Sequence, residues 1–256
     1  MEVRFIAGND GFADALHVWL RKPGSKKAVA ASELAVDRLQ NRWFERAENV
    51  GLHQSMDISE VRRWSDDYLS QVSNDPVAAT RLLCDRIMER IALRLDASRL
   101  VDTTPANARN ADRIEPIYPN SSVVVVTRDG RDVAASFVSQ TFGPDEVFEA
   151  LDQWERRMLR THEATQACHP GRVLTIELMD LVVHEREETL RRLCSFLDVP
   201  VDPALVEWFD AHVTPEGAHP GRWRADFDAE TCARIDQHYR DACERLATAL
   251  VQVPQA

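Results

Sequence analysis

The run Ser122-Val123-Val124-Val125-Val126-Thr127 constrains this chain more than any other stretch. From Val123 to Thr127 every side chain is branched at Cβ, which favours extended backbone. The run has no polar alternation, the pattern of a strand covered on both faces in a parallel sheet. We expect a central strand here, and Arg172 to Leu178 reads as a second buried strand.

Helical patterns flank both. Asp75-Pro76 is a helix start, because Asp caps free amides and Pro at the first position has no amide to lose. Leu83, Ile87, Ile91 and Leu95 then line one face at i, i+4 spacing. Two helices fit between Ala31 and Leu69, interrupted near Gly51. A polar helix follows Thr104-Pro105 and closes at Tyr118-Pro119-Asn120. Others run to about Phe142, through Phe148, Leu151, Trp154 and Met158, over Glu187 to Leu197, over Pro203 to His212, and from an Asp228 cap past Leu246. Asp180 also reads as a helix cap. Near the start, Val3 to Ala7 reads as a short strand, Gly8 to Gly11 as a turn, and Lys22 to Lys27 as a basic loop. Strands alternating with helices mean an α/β fold, in which ligands gather at the carboxyl ends of the strands.

Charge narrows what such a ligand site is. The net charge of −11 argues against a nucleic-acid binder, so an anionic ligand must meet a local basic site. Cys84, Cys168, Cys194, Cys232 and Cys243 show no CxxC pair and no zinc spacing, and the histidines are scattered. We expect free thiols, no metal, and a soluble cytoplasmic chain without a membrane segment. One globular domain over 1–256 is the default for this length.

The basic site is sought just past the valine run, at Arg128-Asp129-Gly130-Arg131-Asp132, with Ser136 inside the following helix. A phosphate there would meet the Arg128 guanidinium, the Ser136 hydroxyl and the positive end of the helix starting near Gly130, with Arg131 as a further donor. The plainer alternative pairs Arg128 with Asp132 or Asp129 and leaves Ser136 as a helix filler.

Here the chain resembles the 3′-phosphoadenosine 5′-phosphosulfate (PAPS)-dependent sulfotransferases, whose apolar strand leads into an Arg-Asp-Pro-Arg-Asp-like turn with a Ser eight residues after the first Arg. Arg128 and Ser136 stand at those positions, and Gly130 stands where many members have proline. The resemblance implies that this pair binds the 3′-phosphate of PAPS. Asp102-Thr103-Thr104-Pro105 and Tyr118-Pro119-Asn120 are similar to the family's Thr-Pro element and strand lead-in. The Arg172 to Leu181 segment resembles a strand-Tyr-Glu-Asp-Leu element, with Leu178 and Met179 replacing the Tyr and Glu. His219-Pro220-Gly221-Arg222-Trp223-Arg224 resembles the late Gly-x-Trp lid, which implies cofactor-binding roles for Gly221, Arg222 and Trp223. Without the resemblance, that segment is a Pro-Gly turn with a tryptophan against the core and arginines in solvent.

The implied fold is a P-loop-NTPase-like three-layer α/β fold, a short, mostly parallel sheet covered by many helices. The family's Gly-x-x-Arg-Ser-Gly-Thr-Thr phosphate loop has no match in the sequence, and Phe5 to Ala13 offers no Arg, Lys, Ser or Thr in its place. Lys26 and Lys27 read as solvated loop residues. On the best alignment Glu2-Val3-Arg4-Phe5 falls just after the loop's helix, so the chain is expected to lack the first strand and P-loop, and Glu2 takes the place of the catalytic base. Loss of a strand would leave an open sheet edge and a tendency to self-associate.

The resulting expectation is a sulfotransferase moving a sulfuryl group from PAPS to a hydroxyl or amine of a small-molecule, carbohydrate or peptide acceptor. The alternative is a loop-less relative that binds the 3′-phosphonucleotide without catalysis. A homo-oligomer is compatible with either.

Overall fold

The computed structural model describes residues 3–47, 50–141 and 143–253. The fold class is α/β, mostly helical with one parallel sheet of two strands among the described residues. The chain divides into two compact units, Met1–Ser121 and Ser122–Ala256.

The first unit holds α1 (Phe12–Arg21), α2 (Lys26–Gln40), α3 (Ile58–Gln71), α4 (Pro76–Leu95) and the short α5 (Ala111–Ile114). Its helix starts are chemically marked. Asp75 Oδ1 accepts the Ala78 amide at 2.9 Å ahead of Pro76, as the sequence indicates. Ser25 Oγ accepts the Ala28 amide at 3.2 Å and starts α2 at Lys26, so the basic segment is a loop only as far as Ser25. Asp57 and Glu60 form a reciprocal capping box on α3. Leu83, Ile87 and Ile91 are buried as the periodicity requires, whereas Leu95 is half exposed, since α4 ends there on the left-handed Asp96.

Phe5, Phe12, Leu16, Leu39, Val61, Leu83, Ile87, Ile91 and Ile117 form one core. Each such side chain contributes roughly 1.5–3 kcal/mol on burial. A polar relay crosses this core. Trp19 Nε1 donates to Ser32 Oγ at 2.8 Å, and Ser32 bonds the Tyr68 hydroxyl at 2.9 Å.

Val3 to Ala7 is not a strand. The segment coils through successive turns, with Phe5 N donating to the Val3 carbonyl and Gly8 N to the Arg4 carbonyl, both at 2.7 Å. Arg4 and Asp10 adopt φ of 57° and 60°. Side chains take the amides a strand would offer to a neighbour: Val3 N donates to Asp102 Oδ1 at 3.3 Å and Arg4 N to Thr104 Oγ1 at 3.1 Å.

The second unit holds β1 (Val123–Thr127), α6 (Gly130–Val138), α7 (Val147–Gln166), β2 (Val173–Glu177), α8 (Arg186–Leu197), α9 (Pro203–His212), α10 (Pro215–Ala218), α11 (Trp223–Asp226) and α12 (Ala229–Thr248). The strands run parallel in register from Val123 opposite Val173 to Thr127 opposite Glu177. Asp202 and Asp228 cap α9 and α12 through Leu205 N at 2.8 Å and Thr231 N at 2.7 Å.

Three expectations are corrected here. Helix α6 ends at Val138, and Phe142 lies outside the described residues. Asp180 makes no capping bond and instead opens a π-helical turn, Asp180–His184. The valine run forms a strand, but only Thr127 of β1 is buried and Val126 is 54% exposed. Branching at Cβ dictates the pleat, while the layers that cover it come from elsewhere in the chain. The core of this unit is helical, built on Leu151, Trp154, Trp223, Ile235, Tyr239 and Leu246, with Ala134 and Ala135 of α6.

Candidate functional site

The end of β1 and the start of α6 place four charged side chains, Arg128, Asp129, Arg131 and Asp132, in different environments. Asp129 is the N-cap of α6, and its Oδ1 accepts the Arg131 amide at 2.8 Å. The helix terminus expected to meet a ligand phosphate is therefore already occupied by a carboxylate.

Arg131 turns inward and is buried. Its Nη2 meets Asp129 Oδ2 at 2.5 Å, its Nε meets Asp129 Oδ1 at 3.0 Å, and its Nη1 holds Asp236 of α12. The guanidinium carbon stands 4.9 Å from the Trp223 ring centroid and 4.5 Å from that of Tyr239. Burial by itself lowers the pKa of this side chain, but the hydrogen bonds and charge of Asp129 and the bond to Asp236 outweigh it and raise the pKa. Arg131 is thus an internal cation held by Asp129 and Asp236 and buried against two rings, not the open donor expected from the sequence.

Asp132, also buried, reaches across to the segment before α11. Its Oδ2 accepts the Gly221 amide at 3.0 Å and its Oδ1 the Trp223 amide at 3.3 Å. Gly221 has φ +71°, a left-handed conformation that glycine adopts without strain, and His219 precedes it at φ 46°. The Pro-Gly turn of the sequence is therefore a loop anchored through its own amides.

Arg128 follows β1 directly. Its Nη2 donates to the His219 carbonyl at 3.0 Å and approaches Asp132 Oδ2 at 3.5 Å. The Asp132 pairing weighed from the sequence is present, at long range. A guanidinium has five donors, so these two contacts leave most of its capacity open. Ser136 lies half-buried on α6, and its carbonyl accepts the Ser139 hydroxyl at 2.8 Å.

The remaining expected positions are distributed as follows. Trp223 is buried, with Arg131 and Arg224 against its ring. Arg222 Nε is tied to Asp226 Oδ2 at 2.7 Å. Asp132 thus brings Gly221 and Trp223 together with Arg128, while Arg222 faces its own helix. Glu2 lies outside the described residues.

Gly130 has a role the sequence did not reveal. A Cβ there would lie 2.6–2.8 Å from three ring carbons of Trp154, so the indole packs onto the bare backbone at the start of α6. Asp236 was also missed, because nothing local marks an aspartate of α12 as the partner of an arginine 105 residues away. Among the described residues, no three His, Cys, Asp or Glu side chains cluster as metal ligands, and no helix is long and apolar enough to cross a membrane.

A family model described as "Sulfotransferase family" matches residues 25–203. Protein-tyrosine sulfotransferase of Drosophila melanogaster is 25% identical over 126 residues, 47% of this chain and 25% of its own length. Protein-tyrosine sulfotransferase A of Caenorhabditis elegans is 24% identical over 115 residues, 43% of this chain and 30% of its own length. The chain thus spans less than a third of either relative. Among solved structures, the sulfotransferase domain from the curacin biosynthetic pathway aligns with 93% of this chain and 85% of its own at a TM-score of 0.51 and 17% identity, a likeness of fold consistent with a P-loop-like architecture.

Proposed function

The chain belongs to the sulfotransferase family, and from that premise we propose that it transfers a sulfuryl group from PAPS to a hydroxyl or amine of an acceptor. The match covers residues on both sides of Ser121, which supports treating 1–256 as one sulfotransferase domain. The observation that carries the reading is Arg128. It follows the strand end, is steadied by the His219 carbonyl and Asp132, and keeps donors open for an anion. In this reading Arg128 and the Ser136 hydroxyl take the 3′-phosphate, the group that separates PAPS from ATP.

Gly221 and Trp223 serve by shape, since Asp132 already holds their amides. Arg222 would add charge only on leaving Asp226. In the reaction an acceptor oxygen or nitrogen attacks sulfur in line, the bond from sulfur to the bridging oxygen breaks, and adenosine 3′,5′-bisphosphate departs with the electron pair. The acceptor's proton passes to a base, the role we assign to Glu2. No metal enters this scheme. The acceptor is a small molecule, carbohydrate or peptide, neither nucleic acid nor membrane is a partner, and the chain acts in the cytoplasm. The free thiols among the described residues suit a reducing compartment.

Calorimetric titration with adenosine 3′,5′-bisphosphate tests the pocket, with ATP as control and Arg128→Ala as variant. Binding that requires both the 3′-phosphate and Arg128 supports the reading, and equal binding by the variant refutes it. Labelled PAPS with a panel of acceptors then tests transfer. Nucleotide binding without transfer would favour the non-catalytic alternative.

A further inference from the structure

Leu174 of β2 and Phe196 of α8 are half-buried, and together with Glu188, Arg191, Arg192 and Ser195 they border one cleft of about 460 Å³. That size lies within the range of small-molecule sites, roughly 300–1,000 Å³. The packing of α8 explains the cleft. Leu190 and Cys194 form a core with Phe209 of α9. Arg192, Ser195 and Phe196 stand at i, i+3 and i+4 on another side of the helix, where they line the cleft. Leu174 pairs in register with Val124 of β1, so the two share one face of the sheet. Val126 lies on that face as well and is 54% exposed. The sheet face beside the cleft is therefore apolar and only partly covered.

The two arginines of the rim differ. Arg191 is engaged by Glu187 Oε2 at 3.4 Å and by Glu188, a pairing that offsets the charge of Glu188. Among the described residues, Arg192 makes no hydrogen bond and no ion pair, and the Ser195 hydroxyl makes no hydrogen bond. An open guanidinium and an open hydroxyl thus stand beside an apolar floor. A ligand with an apolar body and an anionic end meets complementary chemistry at both of its ends.

Position along the sheet separates this cleft from Arg128 within the same unit. Val124, opposite Leu174, precedes Arg128 by four residues, roughly 13 Å of extended chain. Because the strands are parallel, the cleft lies toward their amino ends, while Arg128 follows the carboxyl end of β1.

We propose that the cleft between α8 and β2 is a second, non-catalytic site for a carboxylate with an apolar body, the body resting on Leu174 and Phe196 and the carboxylate on Arg192 and Ser195. This site does not depend on the nucleotide reading.

The test is fluorescence titration of the full chain with dansylglycine, an aromatic carboxylate, and with dansylamide, its uncharged counterpart. Wild type, Arg192→Gln, Phe196→Ala and Arg128→Ala are compared, with melting temperatures to verify that each variant is folded. We expect saturable binding of dansylglycine at least fivefold tighter than that of dansylamide. Affinity for dansylglycine should fall at least fivefold in Arg192→Gln and in Phe196→Ala and stay at the wild-type value in Arg128→Ala. The proposal is overturned by no saturable binding of dansylglycine, by equal affinity for dansylamide, by wild-type affinity in either Arg192→Gln or Phe196→Ala, or by loss of affinity in Arg128→Ala.

Discussion

Asp132 Oδ2 accepts the backbone amide of Gly221 at 3.0 Å, joining the first turn of α6 to a loop 89 residues later. The same carboxylate takes the Trp223 amide and the edge of Arg128. One side chain thus sets the loop and the cation proposed to meet the nucleotide. Replacing it by alanine leaves two amides without their acceptor in a buried place. We expect Asp132→Ala to lose about 2–4 kcal/mol of stability in urea denaturation and Asp132→Asn to lose less, because an amide oxygen still accepts. Nucleotide affinity should fall with both.

Arg131 is the internal counterpart of Arg128. Removing it leaves Asp129 and Asp236 facing each other without their cation, and the Trp223 and Tyr239 rings without the group packed against them. Arg131→Ala should cost about 3 kcal/mol or more, within the range for breaking buried pairs. Arg131→Lys should recover only part of this, since an ammonium cannot span both carboxylates in a plane. Thermal unfolding of the two variants measures the difference.

Gly130→Ala adds one methyl group where the Trp154 ring leaves no space. Overpacking of this kind costs about 1–3 kcal/mol. Its effect should appear as a lower melting temperature and altered Trp154 fluorescence, and truncating Trp154 in the same chain should relieve the clash.

Tyr68 gives the chain an alkaline limit. Burial first raises the pKa of its phenol to about 12, opposed by the hydrogen bond with Ser32. In the unfolded chain the phenol ionises near its ordinary value of about 10. Between these values the unfolded state has lost a proton that the folded state keeps, so the stabilisation present below pH 10 is lost as pH rises toward 12. Burial raises Tyr118 and Tyr239 as well, so absorbance at the phenolate band should show no tyrosine ionising near pH 10, and the Tyr68 share, read from the difference between wild type and Tyr68→Phe, should appear only near pH 12 or on unfolding. Tyr68→Phe should flatten the fall in melting temperature between pH 10 and 12, and an unchanged slope would contradict this account.

Local chemistry made much of this molecule readable in advance. Asp75-Pro76, Asp202-Pro203 and Asp228 start helices because a carboxylate and a proline act on amides within one turn of themselves. The valine run becomes β1 because branching at Cβ acts on its own backbone, and Arg128 after it was identified from its order in the chain. Val3 to Ala7 misled, because its alternation is strand-like while its amides are claimed by Asp102 and Thr104, about a hundred residues away.

The sequence by itself determined most of the helices, both strands, the family and the placing of Arg128 at a strand end, since each depends on neighbours within a few residues or on motif order. Only the tertiary structure decided that Arg131 is an internal cation, that Asp132 anchors the Gly221 loop and that Gly130 makes room for Trp154. Each of those outcomes depends on which distant side chain shares the same few ångströms, and the free energy of a charge in a protein is set by that company rather than by its own residue type.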